Sequence, residues 1–330
     1  MSPAQMSLFG DADGVDPASV TDTVRALATV LPERIRLGTS SWSFPGWTGL
    51  VYAPRNGRPA TEQVLARHGL AAYARHPLFR TVSLDRTFYA PLAADEFARY
   101  AAQVPAGFRF VVKAPAAITD PVVRKPGSGE AARDNPTFLD AAAAATAFVR
   151  PAVVGLGVKA GPLVFQFPPL GRRLLADVPR LAARIAAFVA MLPRGPLYAV
   201  ETRDPELVTT DFSAALADAG AVPCLAVHAR MPPVEAQAAA LRRADHGSVV
   251  VRWNLHAGRD YEGAKADYFP FDRIVEEDRA SRAALAEVAG TAAAAGRDVF
   301  ITINNKAEGS APRSVEALAA AICVRARAGD

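Results

Sequence analysis

Lysine, cysteine and histidine are all scarce in this 330-residue chain. The two cysteines, Cys224 and Cys323, stand far apart in apolar surroundings, and neither belongs to a CxxC or Cys/His cluster. That excludes a disulfide framework and a thiolate zinc site, and leaves buried free thiols as the reading. Five histidines are too few for a site built on many imidazoles. No HExxH, P-loop or GxSxG segment occurs, so zinc protease, nucleotide-triphosphatase and serine-hydrolase chemistry have no motif behind them. No stretch reads as apolar enough to cross a bilayer, and no membrane partner is expected. The acidic N-terminus lacks the apolar core of a signal peptide, so the expected location is cytoplasmic. Only five of the 37 basic residues are lysine. Codon bias explains this simply; a preference for planar anions such as phosphate is the chemical alternative. A net charge of +4 is too weak to specify nucleic acid by itself.

What the chain does have is alternation. Eight short apolar runs end in polar groups: IRLGTSSW (35–42), RTVSLDRTFY (80–89), FRFVVKAP (108–115), PLVFQFPP (162–169), LYAVETRD (197–204), PCLAVHAR (223–230), SVVVRWNLH (248–256) and DVFITINN (298–305). Amphipathic segments of helical period separate them. Strand–helix alternation of this kind predicts an α/β fold, a TIM-type (β/α)8 barrel of parallel strands with outer helices. Residues 1–18, rich in Gly, Pro, Ser and Asp, are expected as a flexible tail. Residues 19–330 show no composition break and are expected as a single barrel domain.

In such a barrel the chemistry sits where the strands end. Those ends supply Trp42, Asp85, Tyr89, Lys113, Gln166, Glu201, Arg203, His228, Arg252, Asn254, His256, Asn304 and Asn305. A charge inside an apolar strand is costly unless paired. Lys113, Glu201 and Arg252 are in that position, so they form either an ion-pair layer plugging the barrel or an active site. In the second case Lys113, Arg203 and Arg252 face phosphate or carboxylate, Glu201 is the acid/base, and Glu201→Gln removes activity while sparing the fold. His228 joins Lys113 and Glu201 as a catalytic candidate, and His256 is a further acid/base or ligand candidate. Asn304 and Asn305 suit a turn or a polar substrate. Trp42 and nearby aromatics pack under a loop or stack on a ring. No cofactor is established. A divalent metal such as Mg²⁺, held by Asp85, Glu201 or Asp204, is compatible because it needs few protein ligands.

The segments GTSSWSFPGWTGLVYAP (38–54), TFY (87–89), FRFVVKAPAAIT (108–119), GPLVFQFPP (161–169), AVETR (199–203) and INN (303–305) together resemble the motifs of the domain of unknown function 72 (YecE-like) family, in that family's order. The resemblance implies a TIM-type barrel and brings no established reaction. The chain departs from the family pattern at Ser83 (usually Glu), Asp85 (usually Asn), Asp120 and Asp204 (usually His) and Thr202 (usually Phe).

The tail carries a different signal. Gln5-Met6-Ser7-Leu8-Phe9 resembles the pentapeptide QLSLF that binds the bacterial sliding clamp. Gln offers hydrogen bonds and Leu8 and Phe9 offer apolar anchors, with ordering entropy lost only on binding. Three functions follow as expectations. The first is an enzyme on a phosphate-bearing substrate, in the manner of a phosphodiesterase, associated with DNA and recruited to the clamp. The second is a small-molecule isomerase, lyase or hydrolase acting on a sugar or organic acid. The third is a non-catalytic nucleic-acid or clamp-binding module.

Overall fold

The computed structural model describes residues 14–125, 129–241 and 247–328. The pentapeptide at residues 5–9 lies outside them. The eight apolar runs form eight parallel strands: β1 (Ile35–Thr39), β2 (Phe79–Leu84), β3 (Arg109–Lys113), β4 (Ala160–Gln166), β5 (Tyr198–Glu201), β6 (Ala221–Val227), β7 (Val249–Trp253) and β8 (Val299–Ile303). Each pairs with the next, and β8 closes on β1. Helices follow the strands, among them Ala94–Ala101, Val178–Ala190, Thr210–Ala219, Arg279–Ala294 and Ala311–Ala328. Several are started by a side-chain oxygen that accepts an otherwise orphan backbone N–H, as Asp177, Thr209 and Asp278 do.

Strand residues alternate between two apolar environments because side chains on a strand point to opposite faces in turn. Phe110, Val112, Leu163, Phe165, Val200, Leu225, Val251 and Ile301 join the large cluster shared with the helices. Val111, Val164, Ala199, Val222, Cys224, Val250 and Phe300 form a separate cluster that fills the barrel interior. With both faces buried, the strands read as continuous hydrophobic runs. Two residues beyond each interior position, the same parity brings Lys113, Gln166, Glu201, Arg252 and Thr302 to the C-terminal end. The closure of β1 against β2 is tight. A Cβ on Gly38 would lie 1.8 Å from the carbonyl oxygen of Thr81, at a register shift between Leu37 and Gly38.

Three features differ from the sequence expectations. The polar loop after β3 contains an antiparallel hairpin, Val122–Arg124 with Ala131–Asp134. Beyond it, Ala141–Lys159 is long and apolar enough by composition to be a membrane span, contrary to expectation. Its face carrying Ala144, Phe148, Ala152 and Leu156 is buried in the main core. Within the N-terminal segment, Ala18 N–H donates to Val51 O and Ala53 N–H to Asp16 O, both at 2.9 Å, so residues 16–18 are docked on the barrel.

Candidate functional site

Glu201, the last residue of β5, is fully buried above the interior cluster. Its two oxygens accept from three side chains. Arg203 Nη2 lies 2.5 Å from Oε1, Arg252 Nη1 2.8 Å from Oε2, and Asn254 Nδ2 3.1 Å from Oε1. Burial alone would raise its pKa, but the guanidiniums of Arg203 and Arg252 reverse this and hold it at about 2. Arg252 uses its second Nη on Asp85 Oδ2 at 2.7 Å. Burial opposes its charge, and Asp85 and Glu201 more than compensate, so its pKa is raised. Ser83 Oγ lies 2.6 Å from the other Asp85 oxygen. The result is a chain of ion pairs across the barrel, Arg203–Glu201–Arg252–Asp85. A carboxylate so paired carries a fixed charge. General acid–base work by Glu201 would require it to gain and lose a proton, and the two arginines favour its ionised form.

Lys113 ends β3 on the same level and sits apart from that chain. Its Nζ stands 3.6 Å from the centre of the Phe88 ring, and it forms no ion pair among the described residues. Burial first, then the charge of Arg252, lower its pKa to about 8, against the smaller opposing pull of Asp85 and Glu201. Nη1 of Arg203 is buried with no hydrogen-bond partner. Within this cluster three cations, Lys113, Arg203 and Arg252, face two carboxylates, Asp85 and Glu201.

The rim is polar. His228, just past β6, accepts the Arg230 N–H on Nδ1 at 3.1 Å, which leaves its proton on Nε2. Burial, followed by the charge of Arg203, lowers its pKa to about 4, so the ring is neutral at pH 7. Gln166 is buried beside Glu201 in register. Asn304 donates to Ser40 Oγ at 2.9 Å and accepts from Lys306 Nζ at 3.3 Å. Tyr89 is 86% exposed beside Phe88.

Three expected site residues make contacts that serve the fold, though His256 Nε2 and Asn305 Nδ2 are buried without a hydrogen-bond partner. Trp42 is buried, its Nε1 donating to Leu65 O at 3.1 Å. Asn305 Oδ1 accepts from Trp47 Nε1 at 3.1 Å and from Ala311 N–H at 2.8 Å, fastening the turn after β8. His256 accepts the Gly258 N–H and supports the loop that carries Arg259 and Glu276. The carboxylates considered for Mg²⁺ are also committed. Asp85 and Glu201 are bound by Arg252, and Asp204 Oδ2 accepts the Leu170 N–H at 2.9 Å. Among the described residues no cluster of three or more His, Cys, Asp or Glu is placed to hold a metal ion. Phe88 and Lys306 were not named as site candidates by sequence, and Ser83 was named only as a departure from the family pattern. Only the alternation Ser83–Asp85 carried a signal, since it puts both on one face of the chain leaving β2.

Comparisons with known proteins bear on the fold. A solved DUF72 family protein from Enterococcus faecalis V583 superposes with a TM-score of 0.61 at 17% identity, over 87% of this chain and 95% of that one. A DUF72 family protein from Thermotoga maritima MSB8 gives 0.53 at 16% identity, over 86% and 96%. No curated protein matches. The family model described as "Protein of unknown function DUF72" matches residues 36–328, and the chain belongs to that family.

Proposed function

We propose that the C-terminal mouth of the barrel is the active site of an enzyme that takes a small phosphate-bearing substrate. The observation that carries this reading is the unbalanced charge. Lys113 has no ion pair and Arg203 Nη1 has no partner, in a setting where an unmatched cation is costly. A bound anion supplies what both lack. Arg203 offers a free edge of its planar fork, and His228 offers Nε2–H at the rim. Lys113 is the reactive amine of the site, unpaired over the Phe88 ring and with its pKa lowered to about 8 by burial and then by Arg252. Duplex DNA is less well supported as the substrate. Arg124 is neutralised by Asp120, and Arg259 by Glu276 and Asp267.

Thermal unfolding of the full chain in rising inorganic phosphate, against sodium chloride of equal ionic strength, tests the reading. A saturable rise in midpoint is expected in phosphate alone. At a hundredfold excess over Kd the stabilisation is about 2.7 kcal/mol. Arg203→Met, read against its own ligand-free midpoint, should lose most of that rise. No rise beyond chloride, or an equal rise in the variant, refutes the site.

A further inference from the structure

We infer that Lys113 is a covalent nucleophile, forming an iminium with the carbonyl carbon of a small aldehyde or ketone that carries a phosphate or carboxylate. The inference rests on the anion site proposed above and assigns the reacting group within it.

Geometry separates Lys113 from the other lysines. Lys125 pairs with Glu130, Lys265 with Glu262, and Lys159 donates to the carbonyls of Ala101 and Val104. Lys306 is engaged by Asn304 and lies over the Tyr261 ring. Lys113 alone of the five has neither a hydrogen-bond acceptor nor an ion-pair partner among the described residues. Its nitrogen rests on an aromatic face at the end of an interior strand. The charges of Arg252, Asp85, Glu201 and Arg203 all act on it. Both acids are already held by arginine, so neither can lock the lysine as an ammonium ion. An amine in such a place is available as a free base, which is what attack on a carbonyl requires.

The step balances. The neutral amine nitrogen bonds to the carbonyl carbon as the C–O π pair moves onto oxygen. That oxygen takes up two protons, one of them the proton the ammonium released to become an amine, and leaves as water. Nitrogen keeps one hydrogen in the iminium. Ammonium plus carbonyl thus gives iminium plus water, with charge conserved and no oxidant or reductant. The substrate's anionic end lies on Arg203, and the positive iminium replaces the ammonium already tolerated there.

The probes are glyoxylate and dihydroxyacetone phosphate, each incubated with the full chain and then reduced by sodium borohydride. Intact mass and peptide mapping read the adduct, which only five lysines make simple to place. One adduct per chain on Lys113 is expected, with at least tenfold preference over Lys306, and its formation should rise with pH to a plateau above about 8. Lys113→Arg keeps the charge and should abolish the adduct while retaining stabilisation by phosphate. Lys113→Met serves the same mapping if the arginine variant does not fold. Phosphate stabilisation without a Lys113 adduct overturns the covalent role and leaves the anion site standing. Loss of both overturns both, and an adduct spread over the other lysines overturns the covalent role.

Discussion

Replacing Lys113 by methionine should stabilise the protein at neutral pH. A lysine whose pKa is lower in the fold than in the unfolded chain binds fewer protons folded than unfolded between those two values. For Lys113 the interval runs from about 8 up to the ordinary 10.5. Stability should therefore rise with pH across that window, and below about 8 the fold carries the whole penalty of a poorly solvated ammonium. The interval corresponds to roughly 3 kcal/mol at about 1.4 kcal/mol per unit. The contact with the Phe88 ring returns ~0.5–2 kcal/mol of it. Methionine matches the stem in length, and its sulfur packs well against an aromatic ring. A net gain on the order of 1–3 kcal/mol at pH 7 follows. With an unfolding entropy of ~2.1 cal/mol/K per residue, this raises the midpoint by about 1–4 °C. Scanning calorimetry of both proteins at pH 7 and at pH 10.5 measures it. The gap should be present at the first pH and mostly gone at the second. A variant less stable at pH 7, or a gap unchanged at pH 10.5, refutes the claim that Lys113 is an unmatched cation.

Two substitutions should act in the opposite direction. Glu201→Gln leaves Arg203 and Arg252 facing each other over a neutral amide, so it should destabilise by ~3–5 kcal/mol, about 4–7 °C. A midpoint within 1 °C of wild type would show that the ion-pair chain is not structural. Gly38→Ala places a methyl 1.8 Å from Thr81 O at the β1–β2 seam, where backbone must move, and should cost at least ~2 kcal/mol in urea unfolding. An unchanged midpoint would mean that the two strands are spaced more widely than described.

The barrel was legible because its cause is local. Strands buried on both faces are apolar throughout, and helices between them repeat at 3.6 residues, so both periods survive in the linear sequence. Lys113, Glu201 and Arg252 were legible for the same reason, as charges where the pattern calls for apolar residues. Their division of labour was not. Whether Glu201 titrates depends on two guanidiniums, one of them 51 residues away, and composition cannot say that they converge on it. Asn305 misled in the same way, since its partner Trp47 is 258 residues distant. Ala141–Lys159 was passed over as a long apolar run because its helix continues past the segment that sequence marked, and a run of Ala and Val scores as apolar whether its neighbour is lipid or another helix.

The charges at the barrel end differ in how completely they are matched, and the differences follow strand order. Arg252 on β7 is paired on two sides, with Glu201 and Asp85. Arg203, just past β5, is paired on one side, and Lys113 on β3 on none. Strand β4 runs between β3 and β5, and its last residue, Gln166, is in register with Glu201. On the proposed function, an anion drawn to both unmatched groups would lie over β4, on the strand that carries Gln166. On the same proposal Glu201 would serve as a buttress, since it engages Nη2 of Arg203 while Nη1 is left without a partner. A carboxylate held toward its ionised form by two guanidiniums suits that task better than a proton carrier would, because each protonation would release the arginine it holds in place.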